Sequence, residues 1–249
     1  MSLRRFIDRT DVPDCTMAVV GEETDGVLEG MLAETFGDRG VTVTADPATA
    51  TDEGAVLLLE DGRVVASSAL SELYDAILAI NSDLFITGAR GLEEVELPDV
   101  LAGLDEFRFT LRGYPLAHKE KLLLIVVSRY IERLAWEASG GVLRSSFQRL
   151  SRLDDEIGTR EVYEQLSATA VDVHVYGVPD RIPDLDVVVH GGDGEEYRRS
   201  WFVVFRPDDP ADEGAALVAL ETEPRVWDAF WTYDEGLVER IEAYVAREL

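Results

Sequence analysis

Lysine is almost missing from this chain of 249 residues: only Lys119 and Lys121 occur, and the other 21 basic residues are arginines. Cysteine appears once, at Cys15, so no internal disulfide can form and a stapled secreted scaffold is excluded. Such usage fits a reducing compartment. The three histidines, His118, His174 and His190, lie far apart, with no HExxH, no paired CxxC and no His-rich tract, so no metal motif is present. No apolar run exceeds six residues, as at 122–127, whereas a membrane-crossing helix needs roughly 20. Arg4, Arg5 and Arg9 are followed by no apolar stretch of signal-peptide length. Also missing are the GxSxG elbow, the P-loop and the GxGxxG turn, and no cofactor is indicated. A soluble, cytoplasmic protein without a membrane segment is the expectation.

What is abundant is acid. Fifty Asp and Glu face 23 Lys and Arg, a formal charge of −27 spread along the chain. Self-repulsion on that scale opposes compaction in dilute buffer, but molar salt shortens the screening length to about 3 Å. With lysine so scarce, the composition reads as that of a halophilic protein. An anionic surface also argues against direct binding to nucleic acid, which needs a positive footprint. One span departs from the rule. Residues 112–160 hold nine bases (Arg112, Lys119, Lys121, Arg129, Arg133, Arg144, Arg149, Arg152 and Arg160) against six acids. Outside it, 14 bases face 44 acids.

The hydrophobic fraction of 46% is enough to support a packed core. Strands at 16–20 and 41–44 flank a helical pattern at Val27, Leu28, Met31, Leu32 and Phe36, a βαβ-like start. A hairpin follows at 55–59 and 63–66 around Asp61-Gly62, then a helix through Leu70, Leu73, Tyr74, Ile77 and Leu78. Gly113-Tyr114-Pro115 punctuates the chain, which places a boundary between residues 1–112, an α/β region, and 113–249. The second part opens with a helix over about 116–138, its apolar row at Leu123, Val127, Tyr130, Leu134 and Ala138, ended by Gly140-Gly141. A strand at 142–147, a helix near 160–166 and strands at 171–176, 187–190, 201–205, 217–221 and 226–231 follow. Thr232-x-x-Glu235 has capping-box spacing before a final helix. The predicted class is α/β of the α+β kind: a mixed, largely antiparallel sheet flanked by helices in the C-terminal half, with a smaller α/β region before it.

The basic island supplies the candidate site. Arg129 and Arg133 lie four apart on one helix face. Arg144, Ser146 and Gln148 alternate onto one face of the next strand, and Asp172, His174 and Tyr176 onto one face of 171–176. Were those strands neighbours, Arg129, Arg133, Arg144, Gln148, His174 and Tyr176 would line a pocket for a small anionic or polar ligand. The plainer reading is that Arg129 with Glu132 and Arg133 with Glu137 are ordinary helix ion pairs and that the polar strand faces are solvated. No catalytic residue stands out. Cys15 precedes an apolar strand and reads as a small buried residue, the glycine-rich His190 to Gly194 as a connector, and Trp201, Trp227 and Trp231 as core.

Several ordered motifs are similar to one known family. HKEKLLLIVVSRYIERLAWE at 118–137, SSFQRLSRL at 145–153, VYEQL at 162–166 and VDVHVYGVPD at 171–180 resemble the DICT sensory domain, named for diguanylate cyclases and two-component systems. The resemblance covers roughly 113–249 and includes the late Trp strands and Phe230-Trp231-Thr232. It implies a signal-input module. No cyclase, kinase or DNA-binding segment is legible, so a sensory module acting through a signalling partner protein is the expected function. The rival readings are an adaptor that binds no small molecule and an enzyme working from Arg144, His174 and Tyr176.

Overall fold

β-Branched and aromatic runs set the strands, and apolar residues at alternating positions decide which side of each sheet is buried. The computed structural model describes residues 2–9, 15–20, 41–45, 54–60, 62–73, 76, 92, 95–104, 108–112, 122–155, 158–224 and 226–249. Its helices are α1 (Arg4–Arg9), α2 (Asp99–Ala102), α3 (Leu122–Glu137), α4 (Arg152–Asp155), α5 (Thr159–Ser167), α6 (Glu195–Arg199) and α7 (Glu235–Glu248). Its strands are β1 (Cys15–Val20), β2 (Val41–Ala45), β3 (Ala55–Glu60), β4 (Arg63–Ala69), β5 (Arg108–Arg112) and β6 (Gly141–Arg149). Then come β7 (Val171–Val178), β8 (Val188–Gly191), β9 (Ser200–Pro207), β10 (Ala215–Glu223) and β11 (Val226–Thr232).

The first four strands form a sheet in the order β2-β1-β3-β4, with β1 and β2 parallel and the β3–β4 hairpin antiparallel. The other seven form a sheet in the order β5-β11-β10-β9-β6-β7-β8. Its pairs from β5 to β6 are antiparallel, and β6–β7 and β7–β8 are parallel. The mixed, largely antiparallel α+β sheet expected for the C-terminal half is present. Strand β5 precedes the expected boundary at 112/113 yet bonds to β11, and α1 packs on the same sheet.

Alternation buries both faces of this sheet. Leu143, Val173, Val175, Val203, Phe205, Leu217, Trp227 and Trp231 point to one side, toward α3, α5 and the smaller sheet. Phe202, Val204, Ala216, Val218 and Phe230 point to the other, under α1 and α7. The tryptophans Trp227 and Trp231 are core, as their shared strand face implies.

Four features differ from the sequence expectation. In α3 the buried stripe is Leu124, Val127, Ile131 and Ala135, with Leu123, Tyr130, Leu134 and Ala138 half-buried beside it. The LLLIVV start is apolar on every side, so periodicity could not choose the face. The cap of α7 is Asp234, whose carboxylate accepts from Leu237 N at 2.7 Å. Thr232 is still in β11 and accepts instead from Asp234 N. Short helices α1 and α6 were not expected. Finally, β6 is irregular between Ser146 and Arg149, and Gln148 has φ +53°, which ends the simple alternation of its side chains. The expected 27–36 helix, His118, Lys119 and Lys121, and the Cys15 side chain lie outside the described residues; of the 70–78 helix, 70–73 and 76 are helical.

Candidate functional site

Strands β6 and β7 are neighbours in register, Arg144 opposite His174 and Ser146 opposite Tyr176. The six expected residues nevertheless do not form one site. Arg144, His174 and Tyr176 gather on the α7 face, Arg129 and Gln148 lie at a cavity on the α3 face, and Arg133 points elsewhere. Its guanidinium pairs with Glu137 at 2.9 Å and donates to the Val95 carbonyl.

On the α7 face, Arg144 is buried and makes two hydrogen bonds. Its Nε donates to Glu242 Oε1 at 2.7 Å, and its Nη1 donates to the Tyr176 hydroxyl at 2.7 Å. Arg206 approaches the other oxygen of Glu242 at 3.9 Å. Tyr176 stacks on His190, with ring centroids 4.3 Å apart and planes within 6°. His190 Nε2 and His174 Nδ1 share a hydrogen bond of 2.9 Å. Burial lowers the pKa of both imidazoles, and the Arg144 charge lowers both further. Burial raises that of Tyr176. This cluster is apolar packing around a satisfied ion pair.

The α3 face is different, because there polar groups surround space. Beyond Ser145 and Val203 the backbones of β6 and β9 stop pairing. Side chains take over: Ser146 Oγ accepts from Phe202 N at 2.8 Å and donates to the Ser200 carbonyl, to which Gln148 Nε2 also donates at 2.7 Å. Where the strands part, a cavity of about 50 Å³ lies between β6, β9, α3 and α5. Ser128, Glu132, Ser145, Gln148, Thr159 and Tyr163, all buried, line its interior. Ile125, Arg129, Phe147, Arg152 and Trp201, each partly exposed, make the rim.

A polar network holds these walls. Glu132 sits mid-helix with 3% of its surface exposed; its Oε2 takes a 2.6 Å bond from Arg129, and its Oε1 takes one of 2.9 Å from the Tyr163 hydroxyl. Arg129 also donates to Thr159 Oγ1 at 2.8 Å, and Trp201 Nε1 donates to Ser128 Oγ at 3.0 Å. Burial pushes the Tyr163 pKa well up, and the Glu132 charge adds to the rise. Ser145 Oγ, fully buried, lies near Tyr163 but forms no well-made hydrogen bond. Arg152 donates to the Gln148 amide oxygen. Sequence reasoning named Arg129 and Gln148 here and missed the rest. The available signal was Glu132, an acid midway along the longest helix, and the pair Ser145-Ser146 inside an apolar strand. Among the described residues no group of three or more His, Cys, Asp or Glu could hold a metal, and no helix is long and apolar enough to cross a membrane.

The profile of DICT, described as the sensory domain in diguanylate cyclases and two-component systems, matches residues 99–222, and through that segment the chain belongs to the DICT family. The match contains α2 through most of β10, and with them every residue lining the cavity. No curated protein matches the chain. Among solved structures, the crystal structure of polyphosphate kinase from Porphyromonas gingivalis is similar at 11% identity and a TM-score of 0.35. That alignment covers 98% of this chain and 47% of the kinase chain, so the chain spans under half of that protein.

Proposed function

We propose that the protein is a cytoplasmic signal-input module of a halophile, that it binds a small ligand in the α3-face cavity, and that it passes the state of that site to a partner protein. The observation that supports this most is the cavity itself. Buried polar side chains are costly unless satisfied, and here six of them are arranged around a void inside the family-matched segment. Occupancy would act on α3 and α5 together, because Arg129 of α3 is bonded to Thr159 at the start of α5. High-salt operation accounts for the −27 charge.

The adaptor reading, in which the basic island docks on an acidic partner, has less behind it. Arg129, Arg133, Arg144, Arg149 and Arg160 each already hold a carboxylate. The enzyme reading fares similarly, since the cation of the Arg144, His174 and Tyr176 group is neutralised by Glu242. The test is a thermal-shift screen of nucleotides and metabolites in molar KCl. A ligand for the folded state raises the melting temperature as RT ln(1 + [L]/Kd). A hit whose effect disappears in Val203→Trp, which fills the cavity, supports the sensor. A screen without hits, together with capture of a partner through the island, supports the adaptor.

A further inference from the structure

The cavity has a chemistry of its own, and it narrows the ligand. Its size comes first. A closed apolar cavity of roughly 150 Å³ accepts a benzene ring, so this half-open cavity of about 50 Å³ takes a tail of a few heavy atoms and is too small to take in a whole nucleobase. Charge comes second. The rim carries two guanidiniums, Arg129 and Arg152, and no carboxylate, while the one acid of the lining, Glu132, is buried and already neutralised by Arg129. Among the described side chains of the basic island, Arg152 is the cation bonded to a neutral group alone, the Gln148 amide oxygen. Among the described residues no carboxylate competes for that guanidinium. A guanidinium presents a planar fork that matches a carboxylate in two parallel bonds.

The interior comes third. Phe147, Trp201, Ile125 and Val203 give the cavity an apolar lining, interrupted by the Ser145 hydroxyl, which is fully buried without a well-made hydrogen bond. An apolar tail with one polar substituent suits those walls.

We propose that the cavity binds a short-chain carboxylate of about two to four carbons, its charged end on Arg152 at the rim and its tail beneath Trp201 and Phe147. A hydroxyl or oxo group on that tail is met by Ser145. The inference rests on the sensor reading and fixes the ligand class for the same cavity.

Isothermal titration of the full chain in molar KCl tests it, with propionate, lactate, neutral propionamide and inorganic phosphate as probes. The expected result is saturable binding of propionate and lactate, with propionamide at least about tenfold weaker, the range of one charge-assisted contact. Arg152→Gln should lower propionate affinity by about 10- to 100-fold, Arg152→Lys should fall between, and Ser145→Ala should weaken lactate more than propionate. Equal binding of propionate and propionamide, or an unchanged affinity in a folded Arg152→Gln, overturns the proposal. Phosphate binding in place of carboxylate overturns it as well. If none of these probes binds while the wider metabolite screen yields a hit abolished by Val203→Trp, the carboxylate class is wrong and the sensor survives. If nothing binds in either experiment, both fail.

Discussion

The two faces of the seven-stranded sheet are built from the same strands and come to different ends. On the α7 face, Arg144 meets Glu242 and Tyr176, the rings of His174, His190, Tyr176 and Phe202 close round them, and α1 and α7 seal the layer. On the α3 face, neighbouring positions of β6 carry Ser145 and Phe147 into a space bounded by Glu132, Tyr163 and Trp201. One strand therefore supplies an ion pair to one side and a cavity to the other. The difference lies in packing rather than polarity. Polar groups that satisfy one another with no room to spare stabilise the fold, whereas polar groups held around a void can respond to what enters.

Substitutions can break this contrast, and the largest effect is expected on the sealed face. Arg144→Met leaves Glu242 with only the long contact to Arg206, and unfolding by urea should show a loss of about 3–5 kcal/mol. Ligand affinity of the folded fraction should be unchanged. Next comes Gly141, at the start of β6, where φ is +144° and an added Cβ would fall 2.5 Å from the Arg206 carbonyl oxygen. Gly141→Ala should cost about 2 kcal/mol or more in the same measurement. Tyr176→Phe removes one hydrogen bond to the buried guanidinium and should cost about 1.5–3 kcal/mol. At the other end of the scale, Arg152→Gln on the cavity rim should change stability by less than about 0.5 kcal/mol, since partly exposed substitutions rarely do more.

The sealed face should also carry a pH dependence of its own. His174 and His190 have folded-state pKa values below the ordinary imidazole value, from burial and from Arg144 of β6, partly offset at His174 by Asp172 of β7 and Glu242 of α7. A folded state that resists protonation loses stability as pH falls below the unfolded pKa near 6.5. Stability is full above that value and should decline from about pH 7 toward pH 5, until the folded pKa values are passed. Urea melts at pH 7.5 and 5.5 should show the decline in the native chain and a smaller one in His174→Asn with His190→Asn.

Much of the fold could be read from residues, and the exceptions have physical causes. Strand alternation put Val171, Val173 and Val175 on one face and Trp227 and Trp231 on one face correctly, because successive side chains of a strand point to opposite sides. The first two strands and the β3–β4 hairpin beside Gly62 were legible from the same alternation, together with turn chemistry. The face of α3 was not, because six consecutive apolar residues carry no phase. The site was legible only in pieces. Arg144, His174 and Tyr176 were placed together correctly, but Gln148 was assigned to their side by an alternation that the irregularity at 148 breaks. The partners of the arginines were hidden too: Glu242 lies 98 residues from Arg144, a distance at which charge patterning along the chain has nothing to say.

The most direct test is to ask which face of the sheet responds to ligand. Propionate titrated into the chain in molar KCl, followed by NMR, reports on both at once through the Trp201 indole N–H at the rim and the His174 and His190 rings on the far side. The account predicts that the Trp201 signal moves with saturation and the imidazole signals stay in place. Movement of the imidazoles with Trp201 unmoved would contradict it and place the responsive site beneath α7.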